Sequence, residues 1–157
     1  MVRSGIGYDR HRLAEGRRLV LGGVEIPSER GLAGHSDADV LTHAVIDALL
    51  GAAALGDIGQ HFPDTDPQYQ DGNSIELLER VVAMLGEHGL AVVNVDATVV
   101  LERPALAPAR EEMRASLADA LGIDIGGVSV KATRGEGMGF VGRGEGAACM
   151  AIATVEQ

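Results

Sequence analysis

The chain of 157 residues carries a formal net charge of −10, which argues against nucleic acid or an anionic membrane surface as its main partner. Hydrophobic residues make up 46% but aromatics only 3%, so a core must be built from Val, Leu, Ile and Ala, with 22 glycines permitting close backbone approach. One domain over residues 1–157 is expected, and Cys149, the single cysteine, excludes an intrachain disulfide. The opening Met1-Val2-Arg3-Ser4 is not a basic leader followed by an apolar stretch, so a soluble, cytoplasmic protein is expected.

Residues 6–8 read as the end of a first strand, followed by Asp9 and His11. Side chains at i and i+2 of a strand share a face, so this carboxylate and imidazole can converge on a divalent metal. The run 19–26 sets short apolar segments around Gly22-Gly23, a hairpin signal. Ser36 and Asp39 then have capping-box-like spacing, and apolar residues recur at helical spacing over 40–54. Ser36 or Asp37 is expected to cap that helix, and His35 with Ser36 also offers donors suited to phosphate at a positive helix end.

Asp39, His43 and Asp47 follow at i, i+4 spacing along this helix. His43 is a third candidate ligand, and Asp39 or Asp47 can accept a hydrogen bond from its other ring nitrogen. A solvated Asp/His stripe fits the same spacing. Residues 61–72 are too turn-rich for a regular element, and Asn73 with Glu76 opens a helix to about residue 86. A β-rich run covers 91–101, Pro104 and Pro108 mark a loop, and a further helix runs to Gly122.

Residues 128–133 and 147–155 are the remaining strand candidates, and Cys149 suits an inert core position. Between them, residues 134–146 hold six glycines among charged side chains. Backbone there can wrap phosphate oxygens, Thr133 can donate a hydroxyl, and Glu136 can hold Mg²⁺. The glycine spacing matches neither a P-loop nor the dinucleotide fingerprint, and a flexible surface loop is the competing reading. His61 and His88 read as surface residues. The order of elements predicts an α+β fold, a mixed four-stranded sheet covered by helices on one face, plus a small β-hairpin.

Several stretches together resemble one family closely. They are Gly5-Ile6-Gly7-Tyr8-Asp9-Arg10-His11, Gly34-His35-Ser36-Asp37-Ala38-Asp39-Val40, the segment 47–59, His61-Phe62-Pro63-Asp64-Thr65-Asp66, and Gly139-Phe140-Val141-Gly142-Arg143-Gly144-Glu145-Gly146. Their order and spacing are similar from end to end to the 2-C-methyl-D-erythritol 2,4-cyclodiphosphate synthases of the non-mevalonate isoprenoid pathway. The resemblance implies conversion of 4-diphosphocytidyl-2-C-methyl-D-erythritol 2-phosphate to the cyclic diphosphate with release of CMP. In that reaction the substrate's own 2-phosphate attacks its β-phosphorus, so no protein nucleophile is needed.

By position, the resemblance makes Asp9, His11 and His43 ligands of Zn²⁺ or a similar ion, with Asp9 and His11 also against substrate, and Glu136 the ligand of Mg²⁺ or Mn²⁺. His35, Ser36, Asp57, Thr133 and Glu136 become the catalytic set. His35 and Ser36 face the 2-phosphate, and Asp57, Ile58, Gly59, Phe62 and Asp64 the methylerythritol side. Leu101, Ala105, Leu106, Ala107, Ala132, Thr133 and Arg134 surround the cytidine and its phosphates. The family is a homotrimer with active sites between subunits, and Phe140 and Arg143 resemble residues at one end of an axial channel that holds an isoprenoid diphosphate in some members. Arg134-Gly135, Ala105 and Tyr8 depart from the usual residues, respectively a threonine run, a lysine and a phenylalanine. A metal-dependent nucleotide-diphosphate phosphohydrolase and a non-catalytic trimeric binder are the alternatives.

Overall fold

The computed structural model describes residues 1–157. The chain runs β1 (Val2–Glu15), β2 (Leu19–Leu21), β3 (Val24–Ile26), β4 (Arg30–Ala33), α1 (Val40–Ala53), α2 (Ile58–His61), α3 (Ser74–Glu87), β5 (Ala91–Val100), α4 (Arg110–Leu121), β6 (Val128–Thr133), α5 (Gly139–Gly142) and β7 (Gly146–Glu156). Short 3₁₀ turns occupy Pro67–Tyr69, Ala107–Ala109 and Ile125–Gly127.

The main sheet has five strands in the order β4-β1-β7-β5-β6, one more than the four expected. The added strand is β4, whose four residues Arg-Gly-Leu-Ala show no alternation of their own and become extended by pairing with Arg12 to Glu15 of β1. The β5–β6 pair is parallel and the other pairs are antiparallel, so the sheet is mixed as expected. Residues β2 and β3 form the expected hairpin, with Gly22 at φ 60° and Gly23 at φ 74°, the left-handed pair that a two-residue type I′ turn requires.

Small residues let α1 lie close against one sheet face. Gly5, Gly7, Asp9 and His11 of β1 share that face with their β7 partners Ala153, Ala151, Cys149 and Ala147. A Cβ at Gly7 would overlap the Ala44 carbonyl of α1, and one at Gly5 the Ala48 carbonyl. Ala44, Ala48, Ala97, Ala151 and Ala153 are all buried at this seam. The glycine and alanine content is thus used to bring a helix onto a strand at backbone contact, and that approach sets His43 over Asp9.

The opposite sheet face is uncovered in the single chain. Ile6 pairs with Ile152 and Tyr8 with Met150, and these four are 72%, 51%, 49% and 47% exposed. No helix is long and apolar enough to cross a membrane.

The cap of α1 is Asp39, rather than Ser36 or Asp37, because the helix starts only at Val40. Its carboxylate is fully buried and accepts from the Thr42 amide at 2.9 Å, the Thr42 hydroxyl at 2.8 Å, and the Gly22 and Gly23 amides at 2.9 and 2.8 Å. Burial pushes the Asp39 carboxyl up, and the amides of Thr42, Gly23 and Gly22 pull against that rise. The hairpin is therefore fastened to the head of α1 by one carboxylate. Asn73 caps α3 through the Ile75 amide at 2.9 Å, and Gly122 ends α4 in the left-handed conformation, as the sequence indicated.

Candidate functional site

Where β1 passes under α1, Asp9, His11 and His43 turn their polar ends to one point. Asp9 Oδ2 lies 2.9 Å from His11 Nε2 and 3.1 Å from His43 Nδ1, and the two imidazole nitrogens are 3.4 Å apart. A tetrahedral ion with bonds of about 2.0–2.1 Å sets its ligand atoms roughly 3.3 Å apart. The triangle has that size, and one carboxylate with two imidazoles suits a divalent transition metal with a position left open. His11 Nδ1 is 3.2 Å from the Ala33 carbonyl, which accepts a hydrogen bond from it and leaves Nε2 free to ligate. That carbonyl belongs to β4, the strand not foreseen.

The electrostatics of the triangle are those of a tight carboxylate–imidazole pair. Burial opposes ionisation of Asp9, but hydrogen bonds and charge from His11 and His43 outweigh it and hold the carboxyl down to about 2. Burial likewise disfavours charged His43, and Asp9 outweighs it, raising the imidazole above its ordinary value. Neither the Asp39 nor the Asp47 carboxylate accepts from the His43 ring, contrary to the expectation from helix spacing. Asp39 is spent on the cap, and Asp47 accepts from the Ile58 amide at 2.8 Å, tying α2 to α1. The second nitrogen of His43, Nε2, instead faces Ser74 Oγ at 2.7 Å, with Ser36 Oγ at 3.3 Å. Ser74 stands 31 positions downstream, at the start of α3, and no local sequence signal marks it.

The triangle opens into a cavity of about 450 Å³ whose wall includes His35, Ser36, Ile58, Gly59, Phe62 and Asp64. Nine of the residues singled out from the sequence, counting the three candidate ligands, thus share one wall. His35 Nε2 is anchored 3.3 Å from the Asp66 carbonyl, and Phe62 meets Tyr69 edge to face. Asp57 is not in that wall and caps α2 by accepting from the Gln60 amide at 3.0 Å.

A second, smaller cavity of about 160 Å³ gathers Leu101, Ala105, Leu106, Ala107, Ala132, Thr133 and Arg134. The loop 101–107 reaches it because the Leu101 amide donates to the Thr133 carbonyl at 3.0 Å, continuing the parallel pairing of β5 and β6. The Gly135 amide donates to Glu102 at 2.8 Å, which fixes the turn beyond Arg134. Glu136 is exposed in the left-handed conformation at φ 54°, in neither wall. The glycine-rich stretch is not a plain loop, since residues 139–142 form the short helix α5. Phe140 borders a third cavity with Arg10, His11 and Arg12, and Arg143 pairs with Glu145 at 2.9 Å on the surface. Cys149 is fully buried, and burial pushes its thiol up, as an inert core cysteine requires.

Residues 2–156 match the model of the YgbB family. A 2-C-methyl-D-erythritol 2,4-cyclodiphosphate synthase from Salinibacter ruber is 61% identical over 155 residues, covering 99% of each chain. Among solved structures, the bifunctional IspDF from Campylobacter jejuni is 41% identical with a TM-score of 0.95, over 99% of this chain and 42% of that one. A 2C-methyl-D-erythritol-2,4-cyclodiphosphate synthase in a CDP-bound form is 34% identical with a TM-score of 0.90, over 98% of this chain and the whole of that one.

Proposed function

The chain belongs to the YgbB family, and from that premise we propose that it is a 2-C-methyl-D-erythritol 2,4-cyclodiphosphate synthase, a phosphorus–oxygen lyase of isoprenoid precursor biosynthesis. The observation that carries the reading beyond the resemblance of whole chains is the Asp9–His11–His43 triangle opening into the same cavity as His35, Ser36 and Asp64. The substrate is 4-diphosphocytidyl-2-C-methyl-D-erythritol 2-phosphate. A bond forms between an oxygen of its 2-phosphate and its β-phosphorus while the bond from that phosphorus to the oxygen carried off by CMP breaks. Both partners of the reaction lie in one molecule, so the protein has to orient them and offset charge.

Asp9, His11 and His43 would hold the first ion, with Zn²⁺ favoured by the ligand set, and Glu136 is assigned a Mg²⁺ or Mn²⁺ on the family resemblance. Bound there, the ions supply positive charge to phosphate oxygens in an otherwise acidic chain. Ser36 and His35 orient the 2-phosphate, Asp64 with Ile58, Gly59 and Phe62 encloses the methylerythritol, and Asp57 holds the α2 turn that presents them. Thr133 donates its hydroxyl to a phosphate oxygen, Arg134 adds a cationic contact, and the 101–107 loop with Ala132 takes the cytosine ring. The CDP-bound relative of the same fold supports a cytidine diphosphate ligand.

The active unit is proposed to be a homotrimer of single-domain chains, with each site built between neighbouring subunits. Two observations support that arrangement. Within one chain the triangle's cavity and the 101–107 cavity share no lining residue, which fits a substrate site whose two halves come from neighbouring subunits. The Ile6, Tyr8, Met150 and Ile152 patch also lacks a cover in the single chain. Phe140 and Arg143 are assigned to the rim of an axial channel, with an isoprenoid diphosphate as its occupant, and the cytoplasm is the proposed compartment. Incubation with the cytidyl substrate, Zn²⁺ and Mg²⁺ should give CMP and a cyclic diphosphate by phosphorus NMR. An uncyclised bisphosphate as the product would refute the reading.

A further inference from the structure

His43 has two ring nitrogens but only Nδ1 faces the candidate metal, so the proton on its ring must be kept on Nε2. A chain of hydrogen bonds decides this. The Ser74 amide donates to Asp37 Oδ2 at 2.8 Å, and the Asp39 amide donates to Asp37 Oδ1 at 3.2 Å. Backbone N–H groups can only donate, so the Asp37 carboxylate is set as an acceptor. The Ser74 hydroxyl, in short contact with Asp37 Oδ1, therefore donates its one hydrogen bond to Asp37. What remains on Ser74 Oγ is a lone pair, 2.7 Å from His43 Nε2, and that nitrogen must be the donor. The lone pair on Nδ1 is then directed at the point shared with Asp9 and His11.

We propose that Ser74 and Asp37 are positioning residues that fix the tautomer and ring orientation of His43, so that its Nδ1 is presented to the metal. The two are held as a rigid bracket around the imidazole. Ser74 is fully buried, and the loops carrying the pair are zipped by the Asp37 amide on the Gly72 carbonyl at 3.2 Å and the Asp71 amide on the His35 carbonyl at 2.9 Å. Ser36 Oγ, at 3.3 Å from the same nitrogen, also lines the substrate cavity and is the weaker acceptor. Ser74 lines neither cavity and reaches the site through its contact with His43. The inference rests on the metal-centre reading above, and His11→Ala separates the two.

The test is zinc affinity by chelator competition, paired with ¹⁵N NMR of histidine-labelled protein loaded with zinc. Asn73 still caps α3 in Ser74→Ala, so this variant should fold, and circular dichroism checks it. Ser74→Ala should weaken zinc binding by roughly 10–100-fold and move the His43 ring nitrogen shifts, while Ser74→Thr, which keeps the hydroxyl, should restore both. Asp37→Asn, which puts an NH₂ where one oxygen accepted, should weaken zinc binding in the same direction, and it decides the matter if Ser74→Ala is unfolded. Zinc affinity and His43 shifts unchanged in the folded variants would overturn the proposal. If His11→Ala binds zinc as tightly as the parent protein, it is the metal-centre reading that fails.

Discussion

Asp9 is the residue on which the pH behaviour of the metal-free protein turns. Its carboxyl, ordinarily near 3.8, is held down to about 2 by His11 and His43 against the cost of burial. A lowered carboxyl contributes stability above its unfolded value and loses it as pH falls through the folded one. In chelator, the Asp9 contribution to unfolding free energy should therefore drop by about 2 kcal/mol between pH 4 and 2, read as the difference between the parent and Asp9→Asn in urea titrations. His43 has the opposite sign. Its raised value makes a contribution present below pH 6.5 and lost as pH climbs through the folded value. The same ion pair is counted in both limbs. Zinc should reverse the upper limb, since ligation needs neutral imidazoles, and thermal melts with and without zinc at pH 8 would show it. Separately, His11→Ala should lose zinc and activity together while the fold persists, and activity surviving in the metal-depleted variant would count against the assigned site. At this scale Asp9 and His11 were legible, because the i, i+2 spacing of a strand is local. Ser74 was not, because the contact that matters is made across 31 positions by two loops folding against each other.

Among the elements, the β1–α1 seam carries the site. Gly7 has no room for a Cβ beside the Ala44 carbonyl, so Gly7→Val must push α1 away from β1. That change should cost about 3 kcal/mol by overpacking and pull His43 off Asp9 and His11, so zinc affinity should fall with the melting temperature. Calorimetry and chelator competition on one preparation test both, and a loss of stability with zinc affinity intact would separate the seam from the site. Helix α3 was readable from its Asn73 cap, α4 from its Gly122 stop, and the hairpin from Gly22-Gly23, because these signals are local to the element. Strand β4 was not, since Arg30 to Ala33 takes its extended form from β1. The reach of β1 beyond residues 6–8 was also hidden, because the face under α1 holds Gly5 and Gly7 while the open face mixes Ser4, Arg10 and Arg12 with its apolar residues.

For the whole molecule, the uncovered sheet face is the surface on which the proposed homotrimer rests. Ultracentrifugation should find a trimer, and Ile152→Asp, placed opposite Ile6 on that face, should shift it towards monomer with loss of turnover but with zinc still bound. A fully active monomer would remove the case for shared sites. Nothing in the spacing of the sequence showed which exposed apolar residues would come together, because Ile6 and Ile152 meet only through sheet registration.

In the proposed reaction the substrate's own phosphate displaces CMP on a site that the chain merely shapes and charges. Running the reaction with Zn²⁺ and Mg²⁺ in ¹⁸O-labelled water tests it most directly. Mass spectrometry should find CMP and a cyclic diphosphate free of solvent oxygen. Solvent ¹⁸O in the phosphate product released alongside CMP would contradict it and identify a hydrolase.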